Sequence, residues 1–123
     1  MTHRPAAPTP SIIDAYGAGG FRVSGEVFRG SVIVLPDRVF PWSVTDPAGL
    51  SKETLAPVLD FRPPVEILLI GCGLRAALIA PGLRQDLRDA GVVVDAMDTG
   101  AACRTFNVLR SEERRVAAAL IAI

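Results

Sequence analysis

Residues 65–76 read Val65-Glu66-Ile67-Leu68-Leu69-Ile70-Gly71-Cys72-Gly73-Leu74-Arg75-Ala76. An apolar run broken only by Glu66 suits a strand over Val65–Ile70 that is covered on both faces. The tail of the stretch is a literal match to G-x-G-x-x-G/A, with Asp95 at the end of the next apolar run. In a dinucleotide-binding unit such glycines let a pyrophosphate approach the backbone, and a helix starts at once with its positive end toward the phosphate. Pro81-Gly82 stands two turns into that helix. Proline there removes a backbone hydrogen bond and clashes with the preceding turn, at roughly 3 kcal/mol. The helix is therefore expected to start at Pro81, with Arg75–Ala80 as a connector and the glycine loop cut off from the helix end. No cofactor is expected.

Downstream of this stretch, Leu83, Leu87 and Ala90 share one helical face, and Gly91 is placed to close the helix. Val92–Met97 reads as a second buried strand. Asp98 or Thr99 then caps a helix carrying Ala102, Phe106 and Leu109 on one side. Ser111 is expected to restart a last helix, its stripe formed by Val116, Ala119, Leu120 and Ile123, with Glu112–Arg115 as its solvated start. Upstream, Ser51 is a plausible cap for a short helix, with Leu50 and Leu55 as a hydrophobic staple and Pro57 limiting its length. The first half reads as strands at Ile12–Tyr16, Gly20–Ser24, Val27–Arg29, Ser31–Leu35 and Arg38–Trp42, punctuated by glycines. Phe21 and Val23 alternate with Arg22 and Ser24, as in a half-buried antiparallel sheet. The pattern predicts an α/β fold: one compact domain over residues 11–123, a mixed β-sheet flanked by helices with an additional N-terminal β-hairpin. Residues 1–10, with three prolines, are expected to be an extended tail. They carry no apolar run suited to a signal peptide or anchor.

Composition bounds the chemistry. The chain has 123 residues, with 13 basic and 13 acidic side chains, so no net charge favours nucleic acid or an anionic surface. No stretch is long and apolar enough to span a bilayer as a helix. The one histidine, His3, sits in the tail, so His-based nucleophile pairs have no base and metal sites lose their commonest ligand. The two cysteines, Cys72 and Cys103, make no disulfide framework. Cys103 has two readings: a thiol activated by the helix N-terminus and Arg104, or a small buried residue. No metal site and no catalytic residue is predicted. The candidate ligand site is a small-anion notch where the Gly71–Gly73 loop meets the helix that begins near Asp98. It would draw on Gly71, Cys72, Gly73, Asp98, Thr99, Arg104, Thr105 and Asn107, if the two strands are parallel neighbours. The bland reading of the same residues is a helix cap and a tight loop. Trp42 reads as a packing residue, and a partner surface could draw on Trp42, Phe40 and the glycine loops.

From Gly20 onward the chain resembles the Mth938-domain family. The signatures are Gly19-Gly20-Phe21, Gly30-Ser31-Val32, Trp42, Glu66–Gly73 and the block from Met97 to Leu109 followed by Glu112–Leu120. Cys72 stands where that family often has Thr, which weakens any role for a thiol there. The resemblance implies a single mixed-sheet domain with an extra hairpin. It also implies kinship with a mitochondrial assembly factor for respiratory complex I, this chain looking like a bacterial member. Expected partners are proteins, of the complex I or membrane-assembly class, in the cytoplasm or peripheral to the inner membrane through them. A small-molecule binder or enzyme remains the alternative, and the family supplies no catalytic residue to carry across.

Overall fold

The computed structural model describes residues 10–123, so the expected tail, with His3, lies outside the described residues except for Pro10. Its strands are β1 (Ile13–Gly17), β2 (Gly20–Val23), β3 (Glu26–Arg29), β4 (Val32–Val34), β5 (Val39–Pro41), β6 (Ile67–Gly71), β7 (Val93–Met97) and β8 (Val116–Leu120). The helices are α1 (Ala56–Leu59), α2 (Pro81–Asp89) and α3 (Thr99–Ser111), with a short 3-10 turn at Pro47–Gly49. Strands β1-β2-β3 form an antiparallel meander, and the other five form a mixed sheet in the order β5-β4-β8-β6-β7. The expected α/β fold, a mixed sheet with helices and an extra hairpin element, is the fold found.

The crossovers explain the layering. Strand β6 pairs in parallel with β7 on one side and with β8 on the other. The connection through α2 moves one way along the sheet and the connection through α3 moves back. Right-handed crossovers therefore set the two helices on opposite faces. The core divides accordingly. Leu68, Ile70, Ala117 and Ala119 face Leu83 and Leu87 of α2, together with Leu55 and Trp42. Leu69, Val116, Ala118 and Leu120 face Ala102, Cys103 and Phe106 of α3, and the same cluster takes in Ile13, Phe21 and Val23 of the meander.

Three expectations are corrected. Residues 116–120 are a strand, not a last helix, and they form the middle of the sheet. Alanine favours a helix in isolation, but Ala117, Ala118 and Ala119 are wholly buried between two strands and two layers. Small side chains on both faces let the layers approach, and that packing overrides the local preference. Helix α3 ends at Ser111, and Glu113 at φ +62° turns the chain into β8. Second, Val92–Met97 is not a buried strand: β7 is an edge, with Val93 66% exposed. Third, Ser51 caps a turn rather than the helix. Its Oγ accepts from Thr54 N at 3.1 Å while Thr54 Oγ1 accepts from Ser51 N at 2.9 Å. The helix begins only at Ala56, with Pro57 at its opening turn, where a missing N–H costs nothing.

Helix α2 does start at Pro81, and Gly91, at φ +82°, ends it as expected. Gly91 N donates to Arg88 O at 2.9 Å and Val92 N to Leu87 O at 2.9 Å, the paired bonds of a left-handed helix stop.

Candidate functional site

The glycine loop and the start of α3 do emerge side by side, because β6 and β7 run parallel in register from Ile67↔Val93 to Gly71↔Met97. They meet through direct hydrogen bonds. Cys72 N donates to Met97 O at 2.8 Å, and Thr99 N donates to Gly73 O at 2.8 Å. Thr99 Oγ1 accepts from Gly73 N at 2.9 Å and donates to Ile121 O at 2.7 Å. Ile121 N in turn donates to Gly71 O at 2.9 Å. One buried hydroxyl therefore links the loop, the helix and the end of β8. A side chain at 71 would be crowded, since a Cβ there would lie 3.0 Å from Thr99 Cα and 3.1 Å from its Oγ1.

The remaining candidates also have partners within the chain. Asp98 caps α3, its Oδ1 accepting from Ala101 N at 2.9 Å. Asn107 pairs with Ile13 twice: Oδ1 accepts from Ile13 N at 2.9 Å and Nδ2 donates to Ile13 O at 2.9 Å. Its carboxamide thus stands in for a neighbouring strand along the free edge of β1. Thr105 Oγ1 reaches Met97 Sδ at 3.7 Å. Arg104 Nη1 donates to Tyr16 Oη at 2.6 Å. The Tyr16 ring lies over Gly100, whose missing Cβ leaves it room: that atom would stand 3.0 Å from Tyr16 Oη. Gly71, Gly73, Thr99 and Asn107 therefore spend their hydrogen-bonding groups on the fold, and Arg104 keeps the most free donors toward solvent.

Both cysteines are buried. Burial pushes the Cys103 thiol up to about 12, with Arg104 opposing weakly, so the activated-thiol reading is corrected. The helix end and the arginine do not offset the loss of hydration. Trp42 is a core residue, as its packing reading had it, and Nε1 donates to Thr54 O at 2.8 Å. It therefore leaves the expected partner surface, whereas Phe40 is partly exposed.

Two surfaces were not singled out from the sequence. Leu74 and Leu78, on the segment that leaves the glycine loop, are 82% and 98% exposed. An open groove of about 550 Å³ lies on the meander, lined by Ala15, Gly17, Gly20, Arg22, Val27 and Arg29 among others. The signal for the groove was the outward Arg22 between inward Phe21 and Val23. Its neighbours on that face became readable only once the strand registers were known. No helix among the described residues is long and apolar enough to cross a membrane.

The family described as protein of unknown function (DUF498/DUF598) matches residues 13–121. The chain is 35% identical over 115 residues to NADH dehydrogenase [ubiquinone] 1 alpha subcomplex assembly factor 3 of Danio rerio, covering 94% of this chain and 66% of that protein. It thus spans just under two-thirds of that relative's length. A crystal structure from Bartonella henselae, described as an outer membrane protein, matches with a TM-score of 0.86 at 42% identity, over 94% of this chain and 97% of the other. A solution structure of a Mth938-like domain from Bordetella pertussis matches with a TM-score of 0.79 at 31% identity, over 98% and 91% of the two chains.

Proposed function

The chain belongs to the DUF498/DUF598 family, the Mth938-like proteins that include a complex I assembly factor, and on that premise we propose that it is a non-enzymatic assembly module. The observation that carries the reading is the 35% identity to assembly factor 3 across 94% of this chain. The surface supports it. Leu74 and Leu78 stand almost wholly in water, forgoing about 1.5–3 kcal/mol of burial each, which a partner covering them would recover. Leu78 also rims a cleft of about 280 Å³ between the 3-10 turn and α2. A protein that lays an apolar side chain there would recover that free energy. The proposed partners are subunits or intermediates of respiratory complex I or of membrane assembly, met in the cytoplasm or at the inner membrane through them.

Deleting the gene should lower the amount of assembled complex I, and tagged protein should retrieve its subunits. Leu74→Ser with Leu78→Ser should lose that retrieval while keeping the wild-type melting temperature. Normal complex I in the deletion strain, with no respiratory or membrane-assembly subunit retrieved, refutes the proposal. The second reading, a small-anion site at Gly71–Gly73 and Asp98–Asn107, leans on Arg104, whose guanidinium keeps donors beyond the one given to Tyr16. A thermal shift produced by phosphate or a small carboxylate and abolished by Arg104→Gln would favour it.

A further inference from the structure

The outer face of the meander has its composition set by register. Arg22 lies opposite Ala15 on β1 and Val27 on β3, and Gly20 lies opposite Gly17 and Arg29. Phe21, Val23 and Phe28 point the other way, into the core or against it. By side-chain direction the open face therefore has a floor of Gly and Ala, one apolar residue in Val27, and two arginines, while Tyr16, Phe21 and Phe28 also line the groove. No residue of α3 or of the five-stranded sheet is among those lining the groove.

Arg22 and Arg29 are diagonal neighbours across β2 and β3, roughly 7–8 Å apart at the backbone. All 13 Asp and Glu side chains of the chain lie among the described residues, since residues 1–9 contain none. None of them forms an ion pair with either arginine; among the described residues the salt bridges are Arg38–Asp37 and Arg114–Glu66. The nearest acids in sequence are turned elsewhere: Asp14 Oδ2 accepts from Gly25 N at 2.7 Å in the β1 bulge, and Glu26 registers with Val23 on the opposite face. In a chain of zero net charge this is a local, uncompensated pair of cations over a groove of about 550 Å³.

We infer that this face docks an extended acidic segment of a protein partner, with carboxylates at alternate positions seated on Arg22 and Arg29. The spacing carries the match. Alternate side chains of an extended chain point the same way about 6.6 Å apart, close to the separation of the two arginines. Guanidinium groups take carboxylates through paired N–H donors. The smooth Gly and Ala floor admits a backbone, and the outer edge of β3 is unpaired in the sheet order. The inference deepens the assembly reading and rests on it for the occupant being a protein.

The test uses the full chain and a fluorescein-labelled peptide with glutamates at alternate positions, read by fluorescence anisotropy. Wild-type protein should bind it, and Arg22→Glu with Arg29→Glu should weaken binding by about tenfold or more. The double variant should instead bind the same peptide carrying lysines. Its melting temperature should match the wild type, because neither arginine is buried or paired; Arg22→Gln with Arg29→Gln serves if charge reversal disturbs folding. Equal binding by wild type and variant overturns the inference. So does displacement by inorganic phosphate at similar concentration, or a preference for phosphatidylglycerol vesicles over the peptide. In a deletion strain, complex I that is lost and then fully restored by the double variant refutes the groove and spares the assembly reading. Complex I that never falls refutes the assembly reading, and the peptide titration still decides the groove.

Discussion

Thr99→Val tests the junction on which the candidate site is built. The side chain is fully buried, and its hydroxyl holds Gly73 N at 2.9 Å and Ile121 O at 2.7 Å. Valine keeps the shape and deletes both bonds, leaving a buried N–H and a buried carbonyl short of a partner. Each such loss costs about 1–3 kcal/mol, and the added methyl returns less than 1 kcal/mol, so a net loss of about 1–5 kcal/mol is expected. For a chain of 123 residues one kcal/mol moves the midpoint by about 4 °C, so the melting temperature should fall by roughly 4–20 °C. Urea unfolding followed by circular dichroism gives the free energy directly. Thr99→Ser is the control: it keeps the hydroxyl, gives up a methyl and should lose only about 1 kcal/mol. If Thr99→Val stays within about 0.5 kcal/mol of wild type, or Thr99→Ser is as damaging, the hydroxyl does not hold the junction.

Three other outcomes follow from the same geometry. Gly71→Ala should destabilise by about 1–3 kcal/mol in urea unfolding, because its Cβ would stand 3.0 Å from both Thr99 Cα and Leu120 Cδ2, and backbone cannot move aside as a side chain tip can. Asn107→Ala should remove both partners of the Ile13 backbone, so β1 amides should exchange with solvent faster while β6 and β8 remain protected. The Cys103 thiol is raised by burial from 9.0 to about 12, so the folded protein holds a proton that the unfolded chain releases. That contribution is intact below pH 9 and is lost as pH rises toward 12, by up to about 1.4 kcal/mol per pH unit. Urea midpoints above pH 9 should fall more steeply in wild type than in Cys103→Ala, and equal slopes would refute the assignment.

Local chemistry made much of the frame legible. Proline and glycine mark α2 at both ends because one fixes φ without needing a donor and the other accepts φ +82°. The apolar run at Val65–Ile70 announced a strand covered on both sides, found at Ile67–Gly71, and Asp98 or Thr99 announced the start of α3, where Asp98 is the cap. Where the candidate residues would converge was also readable, given parallel strands. What they do there was not. A polar side chain at a strand end has the same sequence whether it faces a ligand or another segment. Here Asn107 finds Ile13 and Thr99 finds Ile121, partners far away in the chain.

The sequence by itself determined the class of fold, the helix boundaries set by Pro81, Gly91 and Asp98, and the scarcity of reactive side chains. Each rests on backbone restriction or on residue chemistry that needs no neighbour. Tertiary structure alone decided that Val116–Leu120 is the middle strand. Three alanines prefer a helix alone, and only the two layers closing over them make an extended chain the better way to bury them. It also decided which residues share the open face of the meander. The pairing of β1, β2 and β3, with a bulge at Asp14, brings Ala15, Arg22 and Val27 into one row, and no period within any single strand contains that information.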